Sequence, residues 1–139
     1  MSNYPQIPGI GEGDHHGAAE ISKRTFKAAV AVAVGEQGAM SVTEDDGITV
    51  FLADTDVAGG EFVCGVAVKA VAAGDYGEFQ TKGLFVGLVG SLTNGEGCFP
   101  SATAGAAGNN EVSSQETAHP FAVCLDATTG TVFLDCFGG

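Results

Sequence analysis

The chain has 139 residues, the size of one ordinary domain, and a compact fold of that length buries about two-thirds of its unfolded surface. Its 22 glycines, absent tryptophan and many Val, Thr and Phe residues favour strands and turns over a helical bundle. A formal net charge of -12 argues against a surface built to bind nucleic acid; no apolar run reaches the roughly 18 residues that a membrane-spanning helix needs, so no membrane partner is expected either.

Residues 1–20 hold Pro5, Pro8, four glycines and the adjacent His15 and His16, with no periodic apolar pattern. They read as an extended arm, which we extend to residue 25, before a single β-domain over 26–139. Tyr4, Pro5, Ile7, Pro8 and Ile10 give the arm apolar points suited to ordering on a neighbouring surface. It has neither the basic start nor the apolar core of a secretory signal, so folding in the cytosol is expected.

From Phe26 the chain runs K-A-A-V-A-V-A-V, and the alternation of valine with alanine suits a strand, with a helix as the alternative because alanine is abundant. Residues 35–38 (G-E-Q-G) form a turn, with 39–42 returning as the hairpin partner. A polar turn at 44–47 precedes a strand over 48–53, and another strand covers 62–68. The turn at 72–77 uses Gly74 and Gly77, a return strand covers 78–81, and Lys82-Gly83 leads into an apolar segment over 84–89. The last hairpin joins 121–125 to 131–137 through a turn that ends in Gly130. Between the two hairpins lies a Gly/Ala/Ser-rich stretch over 93–119, long enough as a loop to suggest contact with a neighbouring subunit.

Charge is distributed unevenly along this plan. Residues 1–34 balance three acids against Lys23, Arg24 and Lys27, whereas residues 35–139 hold fourteen acids against Lys69 and Lys82 alone. An acidic body favours solubility at high local concentration. The four cysteines, Cys64, Cys98, Cys124 and Cys136, show no C-x-x-C pair, and buried free thiols are the expectation, although Cys124 and Cys136 could face one another across a hairpin.

Chemistry-bearing residues are present without a pattern that uses them. Asp14-His15-His16, with Glu12 and Glu20, has metal-ligand types, but the flanking glycines oppose a helix that would align them. Asp54-Thr55-Asp56 and Glu44-Asp45-Asp46 lack the ligand density of a calcium loop and read as turns. Nothing brings Ser101, His119 and Asp126 together as a catalytic triad. No catalytic residue, metal site or cofactor is assigned, and the chain is not expected to be an enzyme.

The stretch G-V-A-V-K-A-V-A-A-G-D-Y-G-E-F-Q-T-K-G, residues 65–83, resembles a pattern of strand, glycine turn and strand found in the capsid decoration (cement) proteins of tailed bacteriophages. The segment A-V-C-L-D-A-T-T-G-T-V-F-L-D, residues 122–135, is similar to the closing hairpin of those families, and the two stretches cover about a quarter of the chain. The resemblance implies a small β-barrel or β-sandwich, a homotrimer, placed on the virion surface over junctions of the major capsid protein. Lys23, Arg24 and Lys27 then sit where arm meets body, either as a solvated turn, which base rates for exposed ion pairs favour slightly, or placed to pair with acidic groups on the shell. An extended arm can add a strand to a neighbour's sheet edge, and an oligomer multiplies such contacts through effective concentration. The alternative is a virion fibre or a module that binds glycans on the host surface, using the 93–119 stretch.

Overall fold

The structure is a computed structural model and describes residues 21–60, 62–109 and 120–136. These residues form nine strands and no helix: β1 (Ser22–Ala28), β2 (Gln37–Met40), β3 (Thr49–Leu52), β4 (Val63–Ala67), β5 (Tyr76–Phe85), β6 (Gly97–Pro100), β7 (Ala107–Gly108), β8 (Ala122–Asp126) and β9 (Thr131–Asp135). The first five close on themselves in the order β1-β3-β2-β4-β5, with β5 returning to β1. The result is a small five-stranded β-barrel, so none of its strands is left as an unpaired edge. All its pairings are antiparallel except β1 with β3, where Lys27 lies opposite Thr49 and Ala28 opposite Val50.

β5 belongs to two structures at once. Residues 76–82 pair with β1, and residues 82–85 pair with β9. From that second half an outer layer continues through β9, β8, β6 and β7. The hand-over falls at Lys82, whose Cα partners are Ser22 on β1 and Asp135 on β9. Two buried polar side chains fix it. Thr81 Oγ1 donates to the Ser22 carbonyl at 3.2 Å, and Gln80 Nε2 donates to the carbonyls of Lys82 (3.1 Å) and Leu84 (2.9 Å). Those two carbonyls flank Gly83, which lies inside β5 at φ 100°, a conformation that any side chain would strain.

The barrel interior is filled from all five strands. Phe26, Ala28, Val50, Cys64, Ala67 and Phe79 are buried there with Val32 and Val71, and Met40 and Leu52 pack against them. Phe26 and Phe79 meet edge to face, ring centroids 5.6 Å apart. Room for Phe79 comes from absent side chains opposite it: a Cβ on Gly65 would stand 2.8 Å from Phe79 Cβ, and one on Gly38 would stand 3.3 Å from its ring. Gly38 and Gly65 are Cα partners, next to a register shift between β2 and β4.

A second core lies between the outer wall of the barrel and the outer layer, with Val63 and Val66 from β4 packed in one cluster with Phe85, Cys98, Cys124, Val132 and Leu134. Buried Gln37 joins the two parts: its Nε2 donates to the carbonyls of Gly35 (3.0 Å) and Val89 (3.1 Å).

Several expectations from sequence change. The first strand is β1, which starts at Ser22 inside the segment read as arm, so residues 22–25 are barrel wall. The strand predicted on the valine-alanine run after Phe26 stops at Ala28, the end of β1: beyond it Val30 and Val34 are exposed, and only Val32 makes a bridge, to Val71. Alternation with alanine buried too little to hold a strand there. Nor does 39–42 return against it, because β2 pairs with β3 and β4. The strands predicted over 48–53 and 62–68 and the closing hairpin are present as β3, β4 and β8–β9. The 93–119 stretch is not a structureless loop in its first half: β6 pairs with β8, and β7 pairs with β6. Residues 110–119 lie outside the described residues.

Candidate interaction surfaces

Of the residues singled out in the arm, Tyr4, Pro5, Ile7, Pro8 and Ile10 lie outside the described residues, as do Glu12, Asp14, His15, His16 and Glu20. The basic trio is described, and the strand divides it. Side chains along β1 alternate between faces, and Phe26 and Ala28 point into the barrel. Arg24 therefore lies on the inner side at one barrel end, while Lys23 and Lys27 share the outer side with Thr25. The expected cluster of three is one exposed cation at the barrel mouth and two on its outer wall.

Beside Arg24 the barrel mouth opens as a cleft of about 220 Å³, lined by Arg24, Phe26, Met40, Val42, Gly59, Phe62 and Cys64. Its walls are apolar apart from the guanidinium, so it offers a seat to an apolar side chain whose neighbour carries negative charge. It holds no pair of acid, base or nucleophile. Burial pushes the Cys64 thiol up to about 12, with Arg24 countering weakly, and Cys64 Sγ donates to the Gly38 carbonyl at 3.4 Å. A thiol in that state is a small apolar side chain at neutral pH.

The other three cysteines behave alike. All four are free and buried, and on the last hairpin Cys124 lies opposite Val132, while Cys136 follows the end of β9. Burial raises the Cys98 thiol to about 12 and raises that of Cys136 further; for Cys124 burial acts first and the neighbouring Asp126 charge second.

The remaining chemistry-bearing residues build turns. Ser101 Oγ donates to the Ala106 carbonyl at 2.7 Å and accepts from the Thr103 amide at 3.2 Å, which commits it to the bend between β6 and β7. Asp126 Oδ1 accepts from the Thr128 amide in the β8–β9 turn, and His119 lies outside the described residues. Asp54 Oδ1 accepts from the Asp56 amide at 2.9 Å. Asp46 accepts from the amides of Ile48 and Thr49 and from Thr49 Oγ1, and these bonds hold its carboxyl below the usual range. Among the described residues no group of three His, Cys, Asp or Glu gathers as metal ligands.

The turn glycines split by role. Gly74 and Gly130 have φ of 88° and 71°, as their turns require. Gly77 instead lies within β5, where a Cβ would collide with the Val71 side chain, so it serves close approach rather than a turn. Sequence reasoning missed the cleft, whose lining comes from separated segments, and the amides of Gln37 and Gln80. The one signal for Gln80 was a lone amide in an apolar-aromatic strand pattern.

No protein-family model matches this sequence, and no curated protein matches it. Among solved structures, the chain is similar to the N base of the head fibre gp8.5 of bacteriophage phi29, with a TM-score of 0.54 and 16% sequence identity. The match covers 84% of this chain and 95% of that one. At that identity the likeness is one of fold, and it takes in the greater part of both chains.

Proposed function

We propose that this chain is a virion structural protein of a tailed phage that decorates the capsid and stabilises it by bridging neighbouring major capsid subunits. The observation that carries the reading is the shared fold, which extends over 95% of a chain described as the base of a phage head fibre. The resemblance of residues 65–83 and 122–135 to capsid decoration proteins supports it from sequence. In this reading the protein is made in the host cytoplasm, acts on the capsid surface as a homotrimer, and has no catalytic role.

The division of labour follows from charge. Residues 1–34 are neutral overall and carry Tyr4, Pro5, Ile7, Pro8 and Ile10, while the acidic body keeps copies soluble. The arm grips the shell, and Lys23 and Lys27 on the outer wall of β1 face its acidic groups. Each contact is weak alone, since an exposed ion pair contributes about 0–1 kcal/mol. Several arms on one oligomer supply the rest through effective concentration.

A second reading, that the chain is a virion fibre or a host-surface (glycan) binding module, is favoured by the similar structure being the N base of a phage head fibre. Both readings place the protein on the head, and they differ in what it does there. The test uses heads assembled without this protein. Because β1 begins at Ser22, the truncation must stop at residue 20 to leave the barrel whole. Full-length protein is expected to co-sediment with heads and to raise their resistance to heat, and the chain lacking residues 1–20 is expected to stay in the supernatant. Binding without any gain in heat resistance favours the fibre-base reading, and no binding overturns both.

A further inference from the structure

The cleft at the barrel mouth sets a single cation over an apolar floor. Phe26 and Cys64 are buried in it with Met40 packed against them, while Val42 and Phe62 line it at 60% and 39% exposure. Arg24 supplies its charge, and among the described residues no carboxylate lines the cleft to answer the guanidinium. The volume of about 220 Å³ exceeds the roughly 150 Å³ of a cavity that takes up benzene, so one branched aliphatic side chain fits.

The direction of β1 brings the arm to this opening. Along the strand the inward positions pass from exposed Arg24 to buried Phe26 and Ala28, so the chain enters the barrel at the end where the cleft lies. Ile21, where the described residues begin, is about 10 Å along the strand from Arg24. Residues 13–20, which join Glu12 to Ile21, span up to about 29 Å when extended, and Gly13 and Gly17 permit a turn back, so the cleft is within reach of the arm.

The arm also carries the complementary chemistry. Residues 1–20 hold Glu12, Asp14 and Glu20 and no Lys or Arg. Side chains two apart lie on one side of an extended chain. In Ile10-Gly11-Glu12 a large aliphatic side chain has a carboxylate at that spacing, whereas Tyr4 and Ile7 have none.

We propose that Ile10 seats in the cleft of its own chain, with the Glu12 carboxylate on the Arg24 guanidinium. The tether favours this occupant over an acidic segment from elsewhere, because a short flexible link gives an effective concentration in the millimolar range. A second copy approaches with a body of fourteen acids against two bases, which repels its like. The contact goes beyond the decoration reading, since it forms in the free protein. It fixes the root of the arm at the barrel mouth and leaves Tyr4, Pro5, Ile7 and Pro8 to lead onto the shell.

Met40 reports on the cleft from within, and it is one of only two methionines, so carbon-13 methyl labelling of methionine gives a spectrum simple enough to follow it in the full chain. Ile10→Ser is expected to lower the docked population about tenfold or more, the loss of one buried aliphatic side chain, and Glu12→Lys about threefold or more. Both positions precede β1, so the barrel still folds. The Met40 signal of each variant should move toward that of a chain lacking residues 1–20. Glu12→Lys combined with Arg24→Glu should recover part of what Arg24→Glu alone loses. Glu20→Gln and Glu61→Gln, acids near the lining residues in sequence, should leave the signal in place, and so should dilution, as a contact within one chain requires. A signal indifferent to Ile10→Ser or to Glu12→Lys overturns the proposal, as does one that either control moves as far. A signal that moves on dilution assigns the cleft to the arm of another copy and overturns it too. Head binding is measured separately: a chain whose cleft ignores the arm but which binds heads through it sinks this inference alone, and a docked arm on a chain that ignores heads sinks the decoration reading alone.

Discussion

The barrel and the outer layer are built from the same kind of strand and differ in how they are finished. The barrel closes, so every strand finds two neighbours; its inward residues gather around Phe26 and Phe79, and Val63 and Val66 of β4 point outward into the second core. The layer hangs from the second half of β5, buries one face against the barrel wall and leaves apolar residues on the other. A substitution in the barrel therefore meets a closed core, and one on the outer row of the layer meets an exposed apolar surface. The first should cost folding stability, and the second should cost little.

The largest effect is expected at Phe79, fully buried at the centre of the barrel. Phe79→Ala should cost about 3–5 kcal/mol in urea denaturation, the range for deleting a buried aromatic ring. A cost near zero would mean that the barrel is not the stable unit. Next comes Gly65→Ala, which adds one methyl against Phe79 Cβ and should cost about 1–3 kcal/mol by overpacking; a cost near zero would mean that β4 and β5 have room to move apart there.

Alkaline titration sharpens the comparison between the two cores. The thiols of Cys64 in the barrel and Cys98 in the second core are both raised by burial to about 12, from an ordinary value of 9.0. A thiol raised in the folded state stabilises the fold fully below its unfolded value and loses that contribution as pH climbs toward the folded one. Stability should therefore be level through neutral pH and fall between about pH 9 and 12, tracked by the urea midpoint, with thiol reagents reacting only as the chain unfolds. Rapid labelling of the folded protein at pH 7 would contradict this. The smallest effect belongs to Asp46→Ala in the β2–β3 turn, where an exposed carboxylate with a lowered pKa accepts from two amides. Its contribution is present above the ordinary carboxylate value and is lost as pH falls through the lowered one. The variant should melt slightly earlier than wild type at pH 7, and the gap should close in acid.

Local pattern made some of these elements legible and left others hidden. β3, β4 and the β8–β9 hairpin follow from alternating or continuous apolar runs bounded by Asp, Thr and Gly turns, because each is fixed by neighbours in sequence. β1 was obscured because its inward residues are Phe26 and Ala28 beside three cations, while the more regular valine-alanine run that follows buries only Val32. β6 was hidden in a small-residue stretch: its four residues G-C-F-P are held by β8, a distant segment that no local period encodes, and by the two-residue β7 just beyond the bend at Ser101. The parallel contact of β1 with β3, which closes the barrel, is likewise non-local. For the candidate site, types were legible and placement was not. The trio Lys23, Arg24 and Lys27 was visible as charge, but its division between barrel mouth and outer wall depends on which side of β1 faces the core.

The most direct test of the central claim is a cryo-EM difference map between heads carrying this protein and heads assembled without it. A decoration protein should give density the size of the barrel and its layer astride junctions between neighbouring capsid subunits, with the arm running onto the shell. Density confined to one capsid subunit, or no density on the head, would contradict it.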